Sequence, residues 1–166
     1  MPAPSNAVYP FGDLLGLARQ SWLGQMANRL AERGYDDYRR SDAAAIRLLR
    51  RGPVPVGRLG TALGVTRQAA RKVADGLHQR GYATIQRDSQ DARQFNVTLT
   101  AAGQEYAGAV VAVIEQLNRE VVARADPAQL TAADAVLRAA LFDDSTRQRA
   151  AWLPPPVSRQ PQSERH

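Results

Sequence analysis

Wound as a helix at about 100° per residue, residues 66–80 place Arg67, Gln68, Arg71, Lys72, Asp75 and Gln79 on one arc of roughly 140°. Ala69, Ala70, Val73 and Leu77 fall on the opposite arc, so one face packs and the other is free to meet a partner. The free face carries side chains suited to base edges in a major groove: an arginine fork matches guanine O6 and N7, and a glutamine amide matches adenine. Thr66 is a good N-cap for this helix, whose first N–H groups can face a phosphate. The plain alternative is an amphipathic surface helix, and the neighbouring elements decide between the two.

Other chemistries find little to work with. The chain has no cysteine, which removes disulfides, thiolate zinc sites and thiol redox switches together. Its two histidines, His78 and His166, lie far apart in sequence, and His78 falls along the same helix or its phosphate rim. There is no glycine-rich phosphate loop, nucleophile elbow or metal-binding histidine spacing. The expectation is a protein with no catalytic residues, no metal and no cofactor.

The elements around the helix follow from period and punctuation. Residues 1–10 are rich in Pro, Ser, Ala and Asn and read as a flexible arm. Phe11, Leu15, Ala18, Trp22, Met26 and Leu30 recur at the spacing of one helical face, and Gly34 stops that helix. A second helix is expected from an N-cap at Ser41 through Ile46 and Leu49, closed by Arg50-Arg51-Gly52-Pro53, with a short strand at Val54. Val56, Leu59, Gly60 and Leu63 mark a third, short helix, and Gly64 makes the turn into residues 66–80, which Gly81 ends. Two glycine-bounded helices this close form a helix-turn-helix pattern.

The period then changes from helical to alternating. Residues 82–87 read as a strand, and Phe95, Val97 and Leu99 form its partner. Between them, residues 88–93 make the charged tip of a hairpin, a wing. Thr100 caps a fifth helix whose Tyr106, Val110, Val113, Leu117 and Val121 form a seam for another helix. Asp126-Pro127 starts a sixth, with Leu130, Val136, Leu137 and Leu141 expected to be buried. Residues 143–166, with Trp152 beside three consecutive prolines, read as a flexible tail.

Charge is concentrated where these motifs lie. The chain carries a net +6 over 166 residues. Residues 39–93 hold eleven arginines and Lys72 against four aspartates, a net of +8, so the remainder is mildly acidic. A basic segment of this kind is the footprint of polyanion binding, because neutralised phosphates release counterions. The N-terminus lacks a basic region followed by an apolar core, and the longest apolar run, around residues 109–114, is far short of a membrane span. A cytoplasmic location without a membrane partner is expected.

From residue 41 to residue 103 the sequence resembles the MarR family of winged-helix regulators. The resemblance rests on Leu59-Gly60-Thr61-Ala62-Leu63-Gly64-Val65 leading into the reading helix, on Leu77 to Gly81 closing it, and on Asp91-Ala92-Arg93 followed by Leu99-Thr100 and Gly103. It implies a triangular homodimer joined by the first, fifth and sixth helices. It also implies that the wing arginine enters the minor groove and that the wing aspartate orients neighbouring arginines. Ala69-Ala70, where relatives often carry a polar residue, and Tyr82, where an aliphatic one is common, depart from the pattern.

The expected fold is therefore mainly α with a small β-hairpin wing, a winged helix-turn-helix domain plus a helical dimerisation domain. It divides into arm 1–10, dimerisation helix 11–38, DNA-binding domain 39–99, dimerisation helices 100–142 and tail 143–166. The expected partner is double-stranded DNA with an inverted-repeat operator, met by Thr66, Arg67, Gln68, Arg71, Lys72, Arg87, Asp91 and Arg93. A winged-helix adaptor for other proteins is the competing class, but it would present apolar anchors where this helix presents Arg, Gln and Lys. Trp22 and Met26 read as dimer core; the sharper alternative joins them with Tyr35, Tyr38 and Arg39 in a pocket for a small aromatic effector.

Overall fold

A computed structural model describes residues 10–91 and 93–151. The order is α1 (Phe11–Ala31), α2 (Asp42–Leu49), β1 (Val54–Pro55), α3 (Val56–Leu63), α4 (Arg67–Gln79), β2 (Ala83–Arg87), β3 (Phe95–Leu99), α5 (Ala101–Ala123), α6 (Pro127–Ala139) and α7 (Asp144–Ala150). Residues 1–9 of the expected arm, Ala92 of the wing and Trp152 lie outside the described residues. The fold is mainly helical, a winged helix-turn-helix with helical extensions at both ends.

Local chemistry explains most boundaries. Gly64 closes α3 at φ 68°, a left-handed conformation that a Cβ would strain. Thr66 Oγ1 accepts from Ala69 N–H and starts α4, and Thr100 accepts from Gly103 N–H to start α5. Gly103 is also a packing requirement, since a Cβ there would stand 1.8 Å from the Tyr82 carbonyl oxygen. Asp126 and Gln129 exchange hydrogen bonds in a capping box, with Pro127 in the first turn of α6.

The wing strands pair antiparallel in the order β1-β3-β2, with Ala83 opposite Leu99 and Arg87 opposite Phe95. Val54 lies opposite Val97 and closes the sheet. The core joins Met26 and Leu30 of α1, Ile46 and Leu49 of α2, Leu59 of α3, Leu77 of α4, Val97 of β3 and Tyr106, Val110 and Val113 of α5. Each of these large side chains, fully withdrawn from water, contributes about 1.5–3 kcal/mol. The principal helical packings are α3 on α4, and α5 on both α1 and α2.

Four sequence expectations need correction. Ser41 does not cap α2 through its side chain; the Asp42 carboxylate instead accepts from Arg39 N–H, tightening the entry from inside the first turn. The seam of α5 does meet other helices, as expected: from Tyr106 to Leu117 it is buried against α1 and α2 of the same chain, and of the seam only Val121 remains exposed. Met26 lies in this same core rather than at a dimer surface, because α5 covers that side of α1; Trp22 packs at its edge. Val136 and Leu137 are not buried but 51% and 46% exposed, and Leu130 and Leu141 are only half-buried, since α6 packs closely on no other described element. Finally, residues 143–150 do not form a flexible tail: Asp143 accepts from Thr146 N–H and from Ser145 Oγ, and this cap launches α7.

Candidate nucleic-acid interface

Helix α4 presents the reading face. Arg67, Gln68, Lys72 and Gln79 are exposed, whereas Ala70, Ala74, Gly76 and Leu77 are buried against the body. Ala70 explains one departure from the family pattern. It is fully buried where α4 packs on α3, so the departure falls on the packed face of the helix and not on the reading face. Thr66 is used by its cap, which leaves Arg67 and Gln68 in the first turn facing outward.

Arg71 is less free than the sequence suggests. Its Nε donates to Asp75 Oδ1 at 2.9 Å, and its guanidinium lies 5.0 Å from the centre of the Phe95 ring. Arg87 approaches the same ring at 5.6 Å. Phe95 therefore carries two guanidinium groups, one from the reading helix and one from the wing, at cation–π distances that reduce their freedom before any partner arrives.

The wing tip is organised by two carboxylates. Asp88 accepts from Gln90 N–H at 2.8 Å, Asp91 N–H at 3.0 Å and Asn96 Nδ2 at 2.7 Å. Asp91 accepts from Arg93 N–H and Gln94 Nε2, both at 2.9 Å. These bonds favour the charged forms. The backbone N–H of Gln90 first, then Asn96 and the Asp91 N–H, hold the Asp88 carboxyl below its usual range, and the Gln94 amide does most for Asp91. Among the described ion pairs, Asp91 holds no arginine side chain; it fixes the wing turn that displays Arg93.

The helix and the wing meet directly. Arg67 Nη2 donates to the Arg93 carbonyl at 3.2 Å. Around that contact lies an open cavity of about 390 Å³ lined by Pro55, Arg58, Arg67, Asp91, Arg93 and Phe95, among others. Arg58 was not singled out in the sequence. Its signal was its place in the first turn of α3, on the side facing the wing.

Behind the reading helix sits a buried polar hub that the sequence did not disclose. Asp42 is 1% exposed, and its carboxylate accepts from Arg80 Nη1 at 2.8 Å, Arg80 Nη2 at 3.0 Å and the Tyr106 hydroxyl at 2.7 Å. Arg80, at the C-cap of α4, also donates to the carbonyls of Gly76 and Asp37. Burial works against the arginine's charge, but Asp42 outweighs it and holds the guanidinium above its ordinary pKa. Burial, and then the bond to Asp42, push the Tyr106 phenol well above the usual tyrosine range. Tyr82 stacks on Tyr106 with ring centres 4.3 Å apart and donates to Asp37, and its phenol is pushed up to about 12 by burial and that bond. The hub gives the second departure from the family pattern a physical reason.

Residues 36–94, which contain this hub's Asp42, the reading helix and the wing, match the family model described as MarR family. Over those residues the chain is similar to the MarR family. Among solved structures, it is similar to a probable transcriptional regulator from Pseudomonas aeruginosa, at 25% identity and a TM-score of 0.66, over 77% of this chain and 94% of that one. The regulator BpsR of Bordetella bronchiseptica, whose DNA binding is described as regulated by 6-hydroxynicotinic acid, aligns at 22% identity and a TM-score of 0.69 over 86% and 100%. A mutant MarR from E. coli complexed with operator DNA aligns at 18% identity and a TM-score of 0.69 over 80% and 94%. The last two likenesses concern the fold alone. No curated protein matches the chain.

The residues nominated for an effector pocket in this MarR-like chain are scattered in environment. Met26 is core, and Tyr35 packs on Tyr82 and Tyr106. Arg39 is exposed and lays its guanidinium against Gly76. Tyr38 differs from these: its hydroxyl is buried without a hydrogen-bond partner among the described residues. His78 Nδ1 lies 2.9 Å from the Ala83 carbonyl, which makes it a link between α4 and β2. Among the described residues no helix is long and apolar enough to cross a membrane.

Proposed function

We propose that the protein is a homodimeric transcriptional repressor that reads an inverted-repeat DNA operator, with α4 in the major groove and the wing in the adjacent minor groove. The observation that carries this reading is the junction of Arg67 with Arg93 beside Arg58, which sets the reading helix and the wing on one basic surface. A duplex strand that separates a major from a minor groove would run between these two elements, where the guanidinium groups converge. Arg67, Gln68 and Arg71 read base edges, Lys72 and Arg87 hold phosphate, and Arg93 enters the minor groove. Thr66 and Asp91 act through the backbone they fix.

Dimerisation is supported by what α6 and the ends of α1 and α5 leave uncovered. Leu14, Leu15 and Leu17 of α1, Val121 of α5, and Val136 and Leu137 of α6 are exposed apolar side chains. Clusters of this kind mark an interface. A two-fold partner would give the operator its inverted repeat, with half-site centres about one helical turn apart.

Selection of bound duplexes from a random pool, followed by binding of alanine variants to the selected site, tests the reading. Arg67→Ala and Gln68→Ala should each cost about 1–3 kcal/mol and relax sequence preference at one position. Equal losses on every sequence would leave α4 as a phosphate grip only, and an unenriched pool would favour the adaptor alternative. Ligand control is a second reading, favoured by the unpartnered Tyr38 hydroxyl. A phenolic acid that released the operator from the wild type, but not from Tyr38→Phe, would support it.

A further inference from the structure

One side chain of α7, the last helix among the described residues, reaches the turn of the reading head. Arg149 of α7 lies against Gly64, the left-handed residue between α3 and α4. A Cβ built on that glycine would stand 1.7 Å from Nη1, 2.5 Å from Cζ and 3.0 Å from Nη2. The guanidinium therefore occupies the space that any side chain at position 64 would need.

Its orientation is set from within α7. Arg149 Nη2 donates to Thr146 Oγ1 at 2.8 Å, and the Arg149 side chain is half-buried where Arg67 and Lys72 are exposed. The entry into α7 is fixed as well: Asp143 caps it, and Arg147 donates to the Leu141 carbonyl at 2.8 Å and to Asp144 at 2.6 Å. These bonds tie α7 to the end of α6. The face of α6 that leaves Val136 and Leu137 exposed is thus connected to the helix-turn-helix turn by a short and locally constrained route.

We propose that α7 is a brace between the dimerisation arm and the reading head, with Arg149 a positioning residue and Gly64 its seat. The turn sets the angle at which α4 leaves α3, and only three residues, Gly64, Val65 and Thr66, separate the two helices. Two of the backbone bonds that shape it run from Gly64 N–H to the Thr61 carbonyl and from Val65 N–H to the Gly60 carbonyl. A guanidinium whose Nη1 sits against Gly64 limits the local opening of that turn. It acts through the backbone and not by touching DNA.

This inference rests on the proposed DNA-binding role only for one of its two readouts. The first is amide hydrogen exchange of the full-length protein without DNA. Arg149→Ala should speed exchange at residues 64–69 by about tenfold while the core amides of α5 keep their protection. Arg149→Lys should behave the same way, because a flexible ammonium keeps the charge but not the fork that Thr146 orients against Gly64. Thr146→Ala, which frees the guanidinium without removing it, should give a smaller acceleration in the same residues.

The second readout is operator affinity as a function of salt. Arg149→Ala should weaken binding several-fold with no change in the slope of log affinity against log salt. A slope smaller by about one, with exchange unchanged and Arg149→Lys restoring affinity, would make Arg149 a phosphate contact and overturn the brace. Unchanged exchange in all three variants would overturn it too. Failure of the wild type to bind any duplex would sink the proposed function, while the exchange result would still decide the brace.

Discussion

Removing Asp42 should reveal how much of the reading head depends on one buried carboxylate. It accepts two bonds from Arg80, one from Tyr106 and one from the Arg39 N–H. Asp42→Ala leaves the Arg80 guanidinium, whose side chain is only 10% exposed, without its close counter-charge, the nearest remaining carboxylate being that of Asp37 at 4.0 Å. Breaking a buried pair from one side costs about 3–5 kcal/mol, a large share of the roughly 5–15 kcal/mol that holds a domain together. Tyr106→Phe removes one donor and leaves the carboxylate its other three, so its cost should fall near the low end of the roughly 1.5–3 kcal/mol range for a bond to a charged group. Urea denaturation measures both as shifts in midpoint at constant slope. Asp42→Ala combined with Arg80→Ala should cost less than the two single changes added together, by about 1–3 kcal/mol. A loss below about 1 kcal/mol for Asp42→Ala, or strict additivity, would refute the reasoning.

Asp88→Ala should loosen the wing and weaken operator binding several-fold without altering the salt slope, because Asp88 holds backbone and Asn96 and is not placed to touch phosphate; titration calorimetry at several salt concentrations checks it. Since the folded values of Asp88 and Asp91 are lowered, their stabilisation of the wing is fully present above the ordinary carboxylate value near 4 and is lost as pH falls through the lowered values. Wing amide shifts should accordingly hold steady down to about pH 4 and move below it. At the alkaline end the signs reverse: Tyr82 and Tyr106 are raised, so their contribution is complete below the ordinary tyrosine value near 10 and declines as pH rises towards the folded value of about 12 for Tyr82. Tyrosinate absorbance should show these two phenols ionising only with unfolding, and ordinary titration in the folded protein would contradict the buried hub. Val136→Glu or Leu137→Asp should shift the protein to monomer in sedimentation while leaving the circular dichroism of the winged domain unchanged.

The elements with punctuation were legible in the sequence. Gly64, Thr66, Gly81 and Thr100 each occupy a position where only a few residue types serve, so the limits of α3, α4 and α5 could be read directly. The outward face of α4 was legible for the same kind of reason, as a strong segregation of apolar from charged types. Partner assignment was not. The periodic seam of α5 says that something packs there, and periodicity alone does not distinguish a helix of the same chain from one of a second copy. Asp42 was invisible because a buried carboxylate has no local signature; its partners Arg80 and Tyr106 come from two other helices. The polar composition of residues 143–150 concealed a helix that rests on its cap and on Arg147 rather than on an apolar face.

Helix α5 belongs to two structures at once. Its first four turns are core, packed on α1, α2 and β3, while its far end carries the exposed Val121 and leads into α6. With 23 residues it is about 34 Å long. A continuous helix of that length is a lever with its fulcrum in the winged domain. Tilting it by about 5° moves the far end by roughly 3 Å, close to the rise of one base pair along a duplex strand. In the proposed dimer the two levers meet at their far ends, so a small change in how they cross alters the spacing of the reading helices by a full step of the operator. Register on DNA would then be governed at the opposite end of the molecule from the residues that touch it.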